Sequence, residues 1–154
     1  MKFAHAVLTL SVGAILALSP MREVVAQVAT CESIDHYQVK ELIHRWGKAV
    51  QTGDATVLAD EYWEKSILLA TYRGETLLTR RQKIDYFADF LERRPEMYVD
   101  SEWSDIGCNT VISGGGYTFH MADGSVAKAR YLIAFRFENG RWRISGHHSS
   151  LLPG

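Results

Sequence analysis

The stretch SVAKARYLIAFRFENGRWRISGHHSSL, from Ser125 to Leu151, decides the fold of this chain. It contains two strand-like runs joined by Asn139-Gly140, a dipeptide that favours the primed turns of antiparallel hairpins. A second such dipeptide, Asp123-Gly124, comes directly before the stretch. The sequence from residue 97 onward therefore predicts an antiparallel sheet. Its four long strands are expected at 97–108, 110–121, 125–138 and 141–151.

Helical patterns come before this sheet. Apolar residues recur at helical spacing from Val39 to Val50, and Ser33 is placed to cap that long helix. Asp54 precedes a short second helix, and Thr79-Arg80-Arg81-Gln82 has the form of a capping box that opens a third, ended by Arg94-Pro95. Two short strands are predicted at 67–71 and 75–78. The fold class is therefore α+β, with a curved antiparallel sheet wrapped around the first helix as a cone-shaped barrel.

The N-terminus has the form of a secretory signal peptide. Lys2 precedes an apolar run from Ala6 to Leu18, Ser19-Pro20 breaks the helix, and small residues before Gln27 suit cleavage. The apolar run is shorter than the ~20 residues that a membrane-spanning helix needs. We therefore expect a signal peptide at 1–26 and a single exported domain at 27–154, periplasmic or secreted, with no membrane anchor after cleavage.

The chain has two cysteines, Cys31 and Cys108. Export would place both in an oxidising compartment, where cysteines pair. We predict a disulfide between them. The alternative is two unpaired thiols buried as small apolar groups, because the distance between two Cα atoms cannot be read from a sequence.

The overall charge disfavours one class of partner. The chain has 17 Lys+Arg and 18 Asp+Glu residues, and so it lacks the basic excess that binds phosphate backbones. We expect no nucleic acid partner.

Two histidines and two serines, His147 to Ser150, follow the last apolar residues of the final strand. Because side chains alternate between the two faces of a strand, His148 and Ser150 share the face of Trp142 and Ile144, which must point to the core. The alternation therefore predicts that His148 and Ser150 lie at the rim of a pocket, where an imidazole and a hydroxyl meet a small ligand. A purely structural His–Ser hydrogen bond is the alternative.

Other kinds of site find little support in the sequence. His36 and His44 lie two helical turns apart, too far to share one small ion. The glycines at 114–116 lie inside a predicted strand with no helix after them, unlike a phosphate-binding loop. No Gly-x-Ser-x-Gly sequence marks a serine hydrolase. We therefore predict no metal and no cofactor.

This arrangement resembles the nuclear-transport-factor-2-like cone, in particular the association domain of calcium/calmodulin-dependent kinase and its exported bacterial relatives. Within that superfamily, Gly-His-His-Ser-Ser-Leu-Leu-Pro at 146–153 is similar to the His-His-His-Ser-Ser motif of the iota-class carbonic anhydrases. Gly146 replaces the first histidine of that motif, and Ala70 replaces a proline usual before the threonine. Further similar segments are 67–71, 85–91, 116–119 and 129–131.

The resemblance implies a pocket for carbon dioxide or bicarbonate in which hydroxyl groups take the place of a metal ion. Hydration needs an oriented water, a group that accepts its proton, and hydrogen-bond donors for the developing carbonate oxygens, and hydroxyl and imidazole groups suit these tasks. The positions that the resemblance implies for catalysis are Thr71, Tyr86, His148 and Ser150. Those expected to bind substrate are Tyr117, Tyr131 and Ser149.

Three functions are compatible with the sequence. The first is an exported carbonic anhydrase that works without a metal, and the second is a non-catalytic module that holds a small carboxylate or apolar ligand. The third is an assembly domain. All three remain compatible because fold analogy alone does not decide function. We also expect a homodimer, because the sheet face bearing Arg130, Arg136 and Arg143 is left free of the predicted helix.

Overall fold

The computed structural model describes residues 30–153, and the predicted signal peptide lies outside the described residues. Within this range none of the helices is long and apolar enough to span a membrane. The helices are α1 (His36–Gln51), α2 (Ala55–Ala59) and α3 (Arg80–Leu91). The strands are β1 (Tyr62–Leu69), β2 (Glu96–Gly107), β3 (Thr110–His120), β4 (Val126–Glu138) and β5 (Arg141–Leu151).

The five strands form one sheet in the order β1-β5-β4-β3-β2. The four long strands are antiparallel to their neighbours, as predicted, but β1 joins the edge of β5 in parallel and makes the sheet mixed. The strand expected at 75–78 is reduced to a single bridge between Leu68 and Leu77. Turn dipeptides indicate pairing only between strands that are consecutive in the chain. They therefore could not predict that β1, the first strand, pairs with β5, the last.

Local capping chemistry sets the helix starts. α1 begins one residue after Asp35, not at Ser33, because Asp35 and Gln38 satisfy each other's backbone N–H groups at 2.7 and 2.9 Å. The predicted capping box of α3 is confirmed, with reciprocal bonds between Thr79 and Gln82. α3 ends at Leu91, before the predicted Arg94-Pro95 stop.

The core lies between α1 and the concave face of the sheet. The apolar stripe predicted for α1 is buried, and Trp46 at its centre is 3% exposed. Against it the sheet places the inward side chains of β3, β4 and β5, among them Tyr117, Ile133 and Ile144. The predicted disulfide between Cys31 and Cys108 is confirmed and joins the segment before α1 to the β2–β3 turn. Disulfides of this kind are typical of oxidising compartments.

A bulge in β5 changes which side chains face the core. Ile144 pairs with Phe135 and Gly146 pairs with Ala134, which leaves Ser145 without a partner across the ladder. One extra residue shifts the alternation by one, so every later side chain moves to the opposite face. The prediction that His148 and Ser150 continue the inward face of Ile144 is therefore wrong, and His147 and Ser149 occupy that face instead.

Candidate functional site

A small cavity, partly open to solvent, lies between α1, α3 and the inner face of the sheet. Its volume of about 30 Å³ has room for a ligand of only a few heavy atoms, since one water needs ~10–15 Å³ on the same measure. Most of its wall is apolar, and Trp46, Phe87, Phe119 and Met121 belong to it. The polar groups on this wall are few, and they lie close together.

Three hydroxyl groups meet at one side of the cavity. Ser149 of β5 accepts hydrogen bonds from the hydroxyls of Thr71 and Tyr117, each at 2.7 Å. Thr71 follows the end of β1 and Tyr117 lies in β3, so the parallel β1–β5 pairing is what brings Thr71 to Ser149. With two donors directed at its oxygen, Ser149 has its own hydroxyl hydrogen left for a ligand.

His147 lies beside these hydroxyls in the wall of the cavity, and the residue is 4% exposed. Its Nδ1 is 2.7 Å from the hydroxyl of Tyr62, and its Nε2 is 3.5 Å from that of Tyr117. Burial lowers the pKa of His147 to about 3, with a smaller contribution from the neighbouring His148. The ring is therefore neutral at physiological pH.

Tyr86 of α3 supplies a further hydroxyl to the cavity wall. Burial raises the pKa of Tyr86 to about 12, and the Arg73 guanidinium opposes this shift only in part. The group is therefore a neutral phenol, able to donate a hydrogen bond.

A wider outer pocket of about 340 Å³ adjoins the cavity and shares Tyr72, Tyr86 and Phe90 with it. Arg73 and Asp89 lie in this outer pocket and form an ion pair at 2.6 Å. Tyr72 is half exposed. The shared residues thus separate the small cavity from a space that charged groups line.

The structure brings together some of the predicted site residues and separates others. Thr71, Tyr86, Tyr117 and Ser149 line the cavity. Tyr131 is not among the lining residues described, but its ring stacks on Tyr117 with centroids 5.0 Å apart and supports that wall from behind.

His148 and Ser150 lie on the outer face of the sheet. His148 is exposed and pairs with Leu69 and Leu132 in the ladder, and the hydroxyl of Ser150 accepts a bond from Arg130 at 3.1 Å. Neither residue lines the cavity. Their predicted place at its rim is corrected, because the bulge at Ser145 turns both outward.

His147 is the polar cavity residue that the sequence analysis missed. Uninterrupted alternation along β5 would place His147 on the outer face, but the bulge at Ser145 reverses its direction. A glycine inside a strand often marks a bulge. Gly146 directly follows the bulged residue, so this glycine was the signal in the sequence that could have indicated the bulge.

Within residues 30–153, no three side chains of the types His, Cys, Asp and Glu are grouped closely enough to hold a metal ion.

Solved structures of similar shape agree with this architecture. A candidate calcium/calmodulin dependent protein kinase II association domain from Xanthomonas campestris is 28% identical, with a TM-score of 0.74, over 84% of this chain and 99% of the other. A candidate dehydratase of the nuclear-transport-factor-2-like family, from Streptomyces avermitilis, is 13% identical, with a TM-score of 0.68, over 77% and 96% of the two chains. This chain has the nuclear-transport-factor-2-like fold.

A third structure, that of a nuclear-transport-factor-2-like protein from Novosphingobium aromaticivorans, has a cystatin-like fold. It is 19% identical with a TM-score of 0.64, over 78% of this chain and 83% of that one. No family model and no curated protein matches the sequence. The likeness to the second and third structures concerns the fold alone, so the chemistry must be argued from the cavity.

Proposed function

We propose that this protein is a carbonic anhydrase that hydrates carbon dioxide to bicarbonate without a metal ion. The observation that supports this most directly is the convergence of Thr71, Tyr117, Ser149 and His147 on a cavity of about 30 Å³. A cavity of this size excludes most metabolites and admits a three-atom substrate. The resemblance of the strand ending to the iota-class motif points to the same chemistry.

The cavity suits both the substrate and the product. Carbon dioxide is apolar, and aromatic and aliphatic side chains form most of the wall. Bicarbonate has oxygens that accept hydrogen bonds, and Ser149 and Tyr86 each offer a hydroxyl hydrogen to such an acceptor, with the ring of His147 beside them. Because these donors are held in place by packing, they need no rearrangement when negative charge develops on the substrate oxygens.

In the proposed reaction, a water oxygen forms a bond to the carbon while one C=O electron pair moves to its oxygen. The donors of the cavity stabilise that oxygen, and the added water loses a proton to give bicarbonate. With a pKa of about 3, His147 does not hold this proton at neutral pH. We propose that the proton passes to solvent buffer and that bicarbonate leaves through the outer pocket beside Tyr72 and Arg73.

Stopped-flow hydration of carbon dioxide tests the proposal, on protein treated with a chelator and compared with the same buffer alone. We expect turnover that survives metal removal and rises with buffer concentration. His147→Gln should abolish most of it, and His148→Gln, on the outer face, is the matched control. Equal rates for both variants, or no rate above buffer, would reject the proposal.

The second candidate is a non-catalytic module that binds a small anion in the same cavity. It is favoured by the weak basicity of the imidazole on the described cavity wall, since burial lowers the pKa of His147 to about 3 and its Nδ1 is already engaged by Tyr62. Titration with bicarbonate, followed through amide NMR shifts near Ser149, separates the two candidates. Shifts without hydration would indicate binding alone.

We infer that the protein works outside the cytoplasm. The N-terminal sequence has the pattern of a signal peptide, and the Cys31–Cys108 disulfide is consistent with an oxidising compartment. Cell fractionation of the full chain tests this, with cleavage after Ala26 as the expected result in mass spectrometry.

A further inference from the structure

We propose that Tyr62 and Trp46 are positioning residues that fix His147 as the tautomer protonated at Nε2, so that the ring presents an N–H donor to the cavity. The consequence for hydration rests on the proposed function. The tautomer itself does not, because it follows from the hydrogen bonds around the ring.

Trp46 and Tyr62 are hydrogen-bonded to each other behind the ring of His147. The indole Nε1 of Trp46 is 3.2 Å from the hydroxyl oxygen of Tyr62. An indole nitrogen only donates, so Tyr62 must accept this bond. Burial raises the pKa of Tyr62 well above its ordinary value, and the hydroxyl therefore keeps its own hydrogen.

The hydroxyl hydrogen of Tyr62 is directed to His147. Among residues 30–153, the partners of this hydroxyl are Trp46 and His147 Nδ1, the latter at 2.7 Å. If Nδ1 carried a hydrogen and donated it, the hydroxyl hydrogen would be left buried without an acceptor, at a cost that disfavours the arrangement. Tyr62 therefore donates to Nδ1, and the hydrogen of the neutral ring lies on Nε2.

Tyr117 lies on the other side of the His147 ring, near Nε2. Nε2 is 3.5 Å from the hydroxyl of Tyr117, which directs its own hydrogen to Ser149 at 2.7 Å. The Nε2–H group thus has an acceptor only at the edge of hydrogen-bonding distance. His147 lines the cavity, so an oxygen of a bound ligand is placed to accept this hydrogen more closely.

This assignment changes the role of the histidine in the proposed reaction. The lone pair of Nδ1 is occupied by Tyr62 and the Nε2 side carries a hydrogen, so the ring offers no base to the cavity. It acts instead as a neutral donor to a carbonate oxygen. Tyr62 and Trp46 lie behind the ring, and they influence the ligand through it.

Imidazole ¹⁵N NMR on the full chain tests the tautomer directly. Near pH 7 we expect one nitrogen of His147 to have the shift of a protonated pyrrole-type nitrogen, assigned to Nε2, and Nδ1 to have that of a hydrogen-bonded acceptor. Protonation at Nδ1 in the wild-type protein would overturn the inference without any variant.

Substitutions then test the two positioning residues. Tyr62→Phe should give a mixture of tautomers, and Trp46→Phe should weaken the preference while leaving Tyr62 in place. Hydration by Tyr62→Phe should fall by up to about 10²-fold, the usual cost of losing one preorganised donor. Tyr98→Phe, at a half-exposed tyrosine of β2, is the matched control and should change neither property.

The outcomes separate the two proposals. An Nε2–H tautomer in a protein that does not hydrate carbon dioxide would reject the proposed function and keep the inference. Hydration by a protein in which His147 carries its hydrogen on Nδ1 would reject the inference and keep the proposed function. A folded Tyr62→Phe variant with an unchanged tautomer would show that Tyr62 does not fix the ring.

Discussion

Ser145 donates a hydrogen bond of 3.2 Å from its hydroxyl to the carbonyl of Ala134, at the point where β5 carries one residue more than β4. This contact stabilises the bulge that turns His147 and Ser149 toward the cavity. The candidate site therefore depends on a backbone irregularity as much as on the side chains that form it.

The buried His147 should make the protein sensitive to acid. In the unfolded chain, this residue binds a proton below its ordinary pKa of 6.5, whereas in the folded protein burial lowers the pKa to about 3. The free energy of unfolding is therefore highest above pH 6.5 and decreases as the pH falls from 6.5 toward 3. The expected slope reaches about 1.4 kcal/mol per pH unit within this window. Urea unfolding at several pH values measures it. His147→Gln should remove this part of the slope, and exposed His148→Gln should retain it.

Removing cavity hydroxyls should affect turnover far more than folding. Ser149→Ala and Thr71→Val keep similar volume, and each should lower the free energy of unfolding by about 1 kcal/mol. We expect hydration to fall by on the order of 10²-fold in each case, because a preorganised donor or its support is lost. Ser150→Ala on the outer face is the control. A comparable loss of rate in that variant would contradict the assignment of faces.

The disulfide should contribute substantially to stability. Cys31 and Cys108 are separated by 77 positions, and the chain-entropy relation gives about 4.5 kcal/mol for a loop of this length. The variant with Ser at both positions should unfold at correspondingly lower urea concentration. Reduction should destabilise the wild-type protein and leave the double variant unchanged. If both proteins respond equally to reductant, the disulfide is not the cause.

The outer face of the sheet should form a homodimer. It carries exposed apolar side chains, among them Trp103 at 62% and Leu132 at 53%, and pairing places them on either side of Gly114. Light scattering at micromolar concentration should give twice the mass of one chain. Leu132→Glu should give a folded monomer, and Tyr37→Glu, at an exposed aromatic of α1, should leave the dimer intact. A monomeric wild-type mass would rule out this expectation.

The sequence was sufficient for features that depend on residues close together in the chain. The capping box at Thr79, the hairpin turn at Asn139-Gly140 and the buried stripe around Trp46 were all predicted and confirmed, because each rests on local conformation or periodicity. The disulfide was also predicted, since the chain offers only one possible pair.

The tertiary structure alone decided the composition of the candidate site. Thr71 meets Ser149 through a parallel pairing between the first and last strands, which no neighbouring-strand pattern reveals. The faces of His147 and His148 were set by one unpaired residue, Ser145, because a strand has a period of two and a single insertion reverses every side chain after it. The sequence therefore determined which residue types were available for the site. The pairing of the strands determined which of these side chains face the cavity.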